Sequence, residues 1–297
     1  MINFLSKTPV SKLKDKTCII RIDLNIPSDR EEVALRLTNI LPTLKLLQKH
    51  CTKLILISHR GRPKKHDPKL SLKSFAHIIS KKINEDVIFL PNTHPQQTKK
   101  TIEASSGGIF LLENLRFNKG EEKNDKTFAK QLADLADLYI NEAFASSHRA
   151  HSSVQALPQC FPKTMRLAGL ELEKEIKNLD LVLHKAKHPL TIILGGAKVS
   201  GKFGVVKEFK DKADHILLGG GVANTYLAAK GFPIGKSLYD PTFNIKPYIH
   251  LHKIIPPCDW KTERGEILDI GTDTIKQYIE IIKKSKTIIW GGPLGYI

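Results

Sequence analysis

Cys18-Ile-Ile-Arg-Ile22 and Leu54-Ile-Leu-Ile-Ser58 are two short apolar runs on either side of an amphipathic stretch, residues 35–49. This order decides the fold. Runs of this length, rich in β-branched residues, are typical of buried parallel strands, and the stretch between them is typical of a crossover helix. Residues 18–58 therefore predict a βαβ unit whose two strands lie in one parallel sheet.

The same alternation continues along the rest of the chain. Further strands are predicted at residues 87–90, 109–113, 138–141, 190–194, 215–218, 266–270 and 287–290, and further helices at residues 71–83 and 125–136, the latter capped by Asp125. Residues 171–185 carry Leu172, Ile176, Leu179 and Leu183 at helical spacing and are predicted to form a connecting helix.

The pattern predicts an α/β protein of two doubly wound parallel-sheet (Rossmann-like) domains. The first spans residues 1–170, a connecting helix spans residues 171–186, and the second domain spans residues 187–297. A parallel strand normally continues into a helix, and the sequence stops soon after the strand at 287–290. We therefore expect the second domain to be incomplete.

Composition excludes several classes of protein. Hydrophobic residues make up 41% and charged residues 26% of the 297, which is ordinary for a globular chain and argues against disorder. No apolar run approaches the roughly 20 residues of a membrane helix, and no signal sequence is evident, so a cytoplasmic protein is expected. The four cysteines form no C-x-x-C pair, which is typical of thiols in a reducing compartment.

The net charge is the unusual quantity, since 47 Lys and Arg against 30 Asp and Glu give +17. A field of that sign attracts nucleic acid, acidic membrane surfaces or phosphorylated metabolites. The Lys-Lys pairs are scattered and have no aromatic core between them, which favours a solvated lysine-rich surface over a nucleic-acid interface.

Glycine-rich turns follow three of the predicted strands of the second half. They are Gly195-Gly-Ala-Lys198, Gly219-Gly-Gly221 and Gly291-Gly-Pro293. Such turns expose backbone N–H groups to phosphates, so a nucleotide site is one reading and plain turn geometry the other. Gly196 to Lys202 matches G-x-x-x-x-G-K, but Phe203 stands where a P-loop needs Ser or Thr, and the Rossmann fingerprint is absent.

Basic residues follow four predicted strands of the first half. The segments are Arg21-Ile-Asp-Leu-Asn25, Ser58-His-Arg-Gly-Arg-Pro63, Asn114-Leu-Arg116 and Ser147-His-Arg-Ala-His151. Ligands of doubly wound sheets bind at the carboxyl ends of strands, so these segments predict a polyanion pocket. His148 and His151 have a spacing compatible with metal binding, but no further ligand lies nearby, and no protein metal site is predicted.

These segments together resemble the phosphoglycerate kinase family over nearly the whole chain. The stretches that carry the resemblance are Arg21-Ile-Asp-Leu-Asn-Ile-Pro27, His59-Arg-Gly-Arg-Pro63, Leu112-Glu-Asn-Leu-Arg-Phe117, Gly120-Glu-Glu-Lys-Asn124, Asn141-Glu-Ala-Phe144, Ser147-His-Arg-Ala-His-Ser-Ser153, Leu194-Gly-Gly-Ala-Lys-Val-Ser200, Gly219-Gly-Gly221, Ile234-Gly-Lys-Ser-Leu238 and Trp290-Gly-Gly-Pro-Leu-Gly295. Their order along the chain is that of the family.

The resemblance implies reversible phosphoryl transfer between 1,3-bisphosphoglycerate and MgADP, giving 3-phosphoglycerate and MgATP, in a monomeric enzyme. The residues implied to bind 3-phosphoglycerate are Asp23, Asn25, Arg36, His59, Arg62, Arg116 and Arg149. Lys198 and Lys202 are implied to face the transferring phosphoryl group, and Gly196, Gly220, Gly221 and Gly271 to line the nucleotide pocket. Arg36 and Lys198 are implied to be catalytic, acting together after hinge closure.

The sequence also departs from the family pattern. The family continues past Gly295 to a Gly-Gly-Asp-Ser/Thr turn whose Asp holds Mg²⁺, and it is longer between Leu238 and Leu268. Smaller departures are Arg60, Gly201, Thr272 and Gly291. Two alternatives therefore stay open beside a working kinase. One is a homologue that binds 3-phosphoglycerate without turnover, and the other is a basic nucleic-acid binder, which predicts steeply salt-dependent affinity for any polyanion.

Overall fold

The computed structural model describes residues 2–26, 32–92 and 94–296, with side chains of the first α-helix described from Arg36 onward. Pro27, the last residue of the first motif, lies outside this part of the chain. The chain divides into two compact units, residues 1–179 and 180–297. Each unit contains a parallel sheet, so the predicted α/β class with two parallel sheets is confirmed.

The first unit contains a six-stranded parallel sheet in the order β3-β4-β2-β1-β5-β6. Its strands are β1 (Thr17–Arg21), β2 (Lys53–Ile57), β3 (Val87–Leu90), β4 (Gly108–Leu112), β5 (Leu138–Asn141) and β6 (Arg166–Ala168). Its helices are α1 (Glu32–Gln48), α2 (Lys73–Ile83), α3 (Pro95–Ala104), α4 (Lys119–Glu122), α5 (Lys126–Ala133) and α6 (Leu157–Gln159), followed by α7 (Leu170–His184), in which the division between the units falls.

Both faces of this sheet are buried because its strands alternate between two apolar clusters. Cys18 and Ile20 of β1 belong to one cluster, and Ile19 between them belongs to the other. In β4 the alternation places Phe110 with Ile19 and Leu111 with Ile20. Burial on both faces explains why the strands are continuous apolar runs rather than alternating polar and apolar ones.

Local signals set the ends of the helices. Asp125 caps α5 as predicted, since its Oδ1 accepts a hydrogen bond from the Phe128 N–H at 2.7 Å. Helix α2 ends at Asn84, which adopts a left-handed conformation with φ 56°. The sequence prediction omitted α3 and β6. Helix α3 has few apolar residues, and β6 has three residues, which is too short for a periodicity argument.

The second unit contains a four-stranded parallel sheet in the order β12-β7-β8-β9. Its strands are β7 (Leu190–Leu194), β8 (His215–Leu218), β9 (Ile254–Ile255) and β12 (Thr287–Gly291). The α-helices of this unit are α8 (Val199–Phe209), α9 (Gly220–Ala229) and α10 (Thr272–Lys284).

One strand prediction was right in position and wrong in role. Residues 266–270 form β11 (Glu266–Ile270), but this strand pairs antiparallel with β10 (Trp260–Glu263) in a separate two-stranded sheet. Arg264 and Gly265 join the two strands with φ values of 52° and 84°. Two consecutive positive φ angles are the signature of a type I′ turn, which closes the antiparallel hairpin of β10 and β11.

No helix within the described ranges combines the length and apolar character that crossing a bilayer requires.

We expect Phe110→Ala to lower the free energy of unfolding of the first unit by about 3–5 kcal/mol, because Phe110 is fully buried in one of the two apolar clusters of the sheet. Ile88→Ala is the matched control, since Ile88 pairs with Phe110 in register but is 45% exposed on the edge strand. Its expected cost is below about 1 kcal/mol. Urea denaturation measures both, and equal costs would contradict the assignment of the core.

Candidate functional site

The carboxyl ends of β4, β2, β1 and β5 carry the polar segments of the first unit. These strands are neighbours and run parallel, so the segments that follow them leave the sheet at the same edge. The predicted site residues at this edge are Asp23 and Asn25 after β1, His59 and Arg62 after β2, Arg116 after β4 and Arg149 after β5, with Arg36 in α1.

Direct contacts join these segments to one another. The Arg36 Nη1 atom donates to Asp23 Oδ2 at 2.7 Å, which ties α1 to the segment after β1. Asn25 Oδ1 accepts from the Gly61 N–H at 2.8 Å. The carbonyl oxygen of Gly61 in turn accepts a hydrogen bond from Arg116 Nη1. Segments from three strands are therefore linked through the backbone of one glycine.

The side chain of Asn114 holds the segment after β2 in place. Its Oδ1 accepts from the N–H groups of Arg60 and Arg116, and its Nδ2 donates to the carbonyl oxygens of Arg60 and Leu70. These four bonds use the full donor and acceptor capacity of the amide.

His59 contacts a guanidinium. Arg21 Nη2 lies 2.5 Å from His59 Nδ1, and both side chains are buried. A guanidinium has only donors, so Nδ1 must accept, and the ring is neutral with its proton on Nε2. The Nε2–H group is then the donor that His59 offers to a ligand.

Burial and positive charge together keep His59 neutral. Burial is the larger cause, and the charges of Arg21, Arg116, Arg149 and any charge on His151 add to it, lowering the pKa of His59 to about 2. The pKa of His151 is lowered as well, chiefly by burial.

Arg116 has an unused donor. Its Nε lies 3.1 Å from Glu122 Oε1, while Nη2 is buried without a hydrogen-bond partner among the described residues. A buried donor without a partner costs free energy, and an anionic ligand would satisfy it. The side chains of Arg62 and Arg149 likewise make no hydrogen bond within the described part of the chain, which leaves both guanidiniums available to a ligand.

Arg21, Glu121 and Ser153 lie within the sequence motifs but are not among the predicted site residues. All three are fully buried, and Arg21 contacts Ser153 and His59. A polar residue at the end of an otherwise apolar strand, as Arg21 is in β1, was the available signal.

In the second unit the three glycine-rich turns lie against one another. A Cβ atom on Gly195 would lie 1.9 Å from the Pro293 carbonyl oxygen, and one on Gly219 would lie 2.5 Å from Leu294 Cδ2. Gly196 and Gly220 have φ values of 86° and 55°. Side chains are therefore excluded at these positions by close backbone approach or by conformation.

A cavity of about 280 Å³ opens between these turns. Its lining includes Gly196, Gly220 and Gly221 of the predicted nucleotide-binding residues. Lys198 precedes α8 and is exposed, and Lys202 lies in its first turn. A Cβ on Gly292 would lie 3.4 Å from Lys202 Nζ, so this ammonium group reaches the turn after β12. Cations and a helix N-terminus beside a glycine-lined cavity suit a phosphate chain.

Gly271 lies elsewhere in the second unit. It precedes α10, and a Cβ at this position would lie 2.2 Å from Asp259 Cγ. Asp259 accepts hydrogen bonds from the N–H groups of Asp273 and Thr274 at the start of α10, and bonds with Thr274 lower its pKa to about 2. Contact with Asp259 is thus the constraint that the structure places on Gly271, which is absent from the lining of the 280 Å³ cavity.

A larger cavity of about 760 Å³ lies in the first unit at the β5–β6 edge, with Tyr139, Phe144 and Leu172 in its lining. None of the predicted site residues lines it. Among the residues that the structure describes, no three His, Cys, Asp or Glu side chains are grouped so as to hold a metal ion.

Comparison with known proteins gives a consistent result. The family model described as phosphoglycerate kinase matches residues 9–297. The phosphoglycerate kinase of Orientia tsutsugamushi (strain Ikeda) is 38% identical over 314 residues, which covers 95% of this chain and 77% of that protein. The phosphoglycerate kinase of Bartonella quintana (strain Toulouse) is 39% identical over 310 residues and is covered to 77%.

Solved structures agree with these relatives. The structure of phosphoglycerate kinase from Coxiella burnetii superposes with a TM-score of 0.80 at 30% sequence identity, covering 99% of this chain and 81% of that one. The crystal structure of phosphoglycerate kinase from Pyrococcus horikoshii OT3 gives the same TM-score at 26% identity.

We expect Gly195→Ala to lower the free energy of unfolding of the second unit by more than about 2 kcal/mol, because its Cβ would meet the Pro293 carbonyl. Gly204→Ala is the control in α8, where a Cβ meets nothing within 4 Å, and should stabilise by about 0.5–1 kcal/mol. Thermal unfolding measures both. Equal stability of the two variants would refute the packing of the turns.

The second expectation concerns pH. Below pH 6.5 the unfolded chain protonates His59, whereas the folded chain does not until about pH 2. The free energy of unfolding therefore falls as pH decreases through this window, by up to about 1.4 kcal/mol per pH unit for this group. His59→Asn, which retains an acceptor but cannot protonate, should show a shallower slope in denaturant titrations between about pH 7 and 5. An unchanged slope would mean that His59 protonates in the folded chain.

Proposed function

Because this chain belongs to the phosphoglycerate kinase family, we propose that it transfers a phosphoryl group between 1,3-bisphosphoglycerate and MgADP, giving 3-phosphoglycerate and MgATP. Membership of the family makes the chain a glycolytic kinase. The acceptor carboxyl group, the residue roles below and the activity of this 297-residue chain are parts of the proposal.

We propose that residues 1–170 bind the glycerate and residues 187–297 bind the nucleotide, with residues 171–186 as the connection. The observation that supports the first assignment most strongly is the buried, unpartnered Arg116 Nη2 beside His59, at a sheet edge that also carries Arg62 and Arg149. These groups suit the phosphate and carboxylate of a small glycerate ester.

In this proposal Arg62, Arg116 and Arg149 neutralise the anionic groups of the glycerate, and His59 donates from Nε2. Asn25 keeps Gly61 in place, and Asp23 orients the Arg36 guanidinium through their 2.7 Å ion pair. Arg36 is then directed by a carboxylate rather than left as a mobile surface cation, which suits a group that stabilises transferring charge.

Lys198, Lys202 and the glycines at 196, 220 and 221 receive the nucleotide phosphates. Mg²⁺ bound with the nucleotide would supply further positive charge near Lys198 and Lys202. Phosphoryl transfer needs little covalent help from the protein, so positioning and charge carry the chemistry. The reaction requires both substrates to be brought together with water excluded, and this step is hinge closure in our proposal.

We further propose that the protein acts on small molecules as a cytoplasmic monomer, independent of nucleic acid and membranes. The four cysteines are free, which is compatible with a reducing compartment.

The direct test is the rate of 1,3-bisphosphoglycerate formation from 3-phosphoglycerate and MgATP by the purified chain. We expect Arg36→Ala and Lys198→Ala each to lower kcat by about 10²–10³. Lys45→Ala in α1 and Lys207→Ala in α8 remove exposed cations from the same helices and should leave kcat within about twofold.

Three other outcomes would each exclude part of the proposal. Binding of 3-phosphoglycerate without any rate above that of Arg36→Ala would make the chain a non-catalytic binding protein. Loss of rate in the two control variants would show that net charge, rather than these positions, matters. Steeply salt-dependent binding to any polyanion, without selective 3-phosphoglycerate binding, would favour a nucleic-acid binder.

A further inference from the structure

Arg21 is a fully buried cation, and no carboxylate among the described side chains is in direct contact with it. Its Nε donates to Ser153 Oγ at 3.0 Å, its Nη1 to the Ile22 carbonyl and to Ser58 Oγ, and its Nη2 to His59 Nδ1. A buried guanidinium needs a compensating charge. Here the Ser153 hydroxyl lies between Arg21 and a carboxylate.

Glu121 supplies this charge. Its Oε1 accepts from Ser153 Oγ at 2.6 Å, its Oε2 accepts from the Ser153 N–H at 2.9 Å, and the side chain is fully buried. The Ser153 hydroxyl donates its one proton to Glu121, so its oxygen is free to accept from Arg21. The chain of bonds therefore has one direction, from Arg21 through Ser153 to Glu121.

The local structure fixes both members. Ser153 lies in a π-helical turn, Ser152–Ala156, and its carbonyl oxygen accepts from the buried Tyr139 hydroxyl at 2.9 Å. Glu121 lies in the short helix α4, whose next residue, Glu122, faces Arg116. Helix α4 thus places the Glu122 carboxylate beside Arg116 and links the Glu121 carboxylate to Arg21 through the Ser153 hydroxyl.

We propose that Glu121 and Ser153 are positioning residues for the glycerate. They hold the Arg21 guanidinium where it donates a hydrogen bond to His59 Nδ1. This bond fixes the His59 proton on Nε2, facing the ligand. This inference rests on the proposed function for the identity of the ligand. The hydrogen-bond chain itself is testable without any ligand or activity.

The groups that surround His59 allow the test to be specific. Arg21 faces it from β1, Arg116 from the segment after β4, and Arg149 and His151 from the segment after β5. Removing the Ser153 hydroxyl changes none of these residues, so a change in His59 behaviour would report the placement of Arg21.

The first measurement is the tautomer of His59 in the full chain labelled with ¹⁵N-histidine, with the signal assigned by its loss in His59→Asn. We expect a proton on Nε2, a bare Nδ1 and no titration between about pH 5 and 8. A proton on Nδ1, or titration near pH 6.5 in the unmodified chain, overturns the proposal.

The second measurement compares two adjacent buried serines. In Ser153→Ala we expect His59 to stay neutral between about pH 5 and 8, because burial and the charges of Arg116 and Arg149 remain, but to mix its Nδ1–H and Nε2–H tautomers. In the same variant KM for 3-phosphoglycerate should rise about tenfold with kcat within about twofold, because the lost interaction is made in the ground state as well. Ser152→Ala is the control, since the Ser152 hydroxyl donates to the Gly120 and Asp125 carbonyls and makes no contact with Arg21. It should leave the His59 signal and KM unchanged.

Glu121→Gln keeps the shape of the side chain and removes its charge, and it serves if Ser153→Ala fails to fold. We expect its His59 to mix tautomers as in Ser153→Ala. Identical His59 tautomer populations in the unmodified chain and in a folded variant overturn the proposal. The two parts of the inference can fail separately. If the Nε2 tautomer is observed and is lost in Ser153→Ala, the hydrogen-bond chain is established. If the unmodified chain then does not bind 3-phosphoglycerate, glycerate is excluded as the ligand.

Discussion

The burial of one guanidinium is the constraint on which the first site depends. Arg21 ends a largely apolar strand, and its guanidinium donates hydrogen bonds to groups in the segments after β1, after β2 and after β5. Meeting that requirement brings His59 and Ser153 to fixed positions, and Arg116 keeps a buried Nη2 donor without a partner among the described residues. In our proposal the site attracts anions, since two of its carboxylates are already engaged, Glu121 with Ser153 and Asp23 with Arg36.

The candidate site of the second unit is formed mainly by glycine turns. Its glycine turns approach one another so closely that Gly195 and Gly219 admit no Cβ atom, and Gly196, Gly220 and Gly221 line the cavity between the turns. Glycine turns expose directional N–H groups, and Lys198 and Lys202 add charge at the start of α8. In our proposal, one unit thus uses side-chain guanidiniums and the other backbone amides for the same class of ligand.

Periodicity predicted most of the architecture because buried parallel strands leave a strong pattern. The strands at 87–90, 138–141, 190–194 and 215–218 were located to the residue. Periodicity did not predict which strands pair with one another. The hairpin of β10 and β11 depends on the conformation of Arg264 and Gly265 rather than on hydrophobicity. The clustering of Asp23, Asn25, His59 and Arg116 followed from strand ends, whereas the role of Glu121 did not, because it depends on a buried contact with a residue 32 positions away. Gly271 was predicted to line the nucleotide pocket, whereas the contact that the structure shows for it is with Asp259.

The saturated amide of Asn114 has a consequence for how this surface can change during evolution. Its four bonds hold backbone groups of Arg60, Leu70 and Arg116. Aspartate has the length but lacks the donors, and glutamine has the donors but not the length. Two loops share the hydrogen bonds of this amide. Substitutions in one loop therefore alter the effect of substitutions in the other, and their energetic effects are not additive. Sequence drift in the loops is therefore coupled, and a lineage that lost Asn114 would have to rebuild both together.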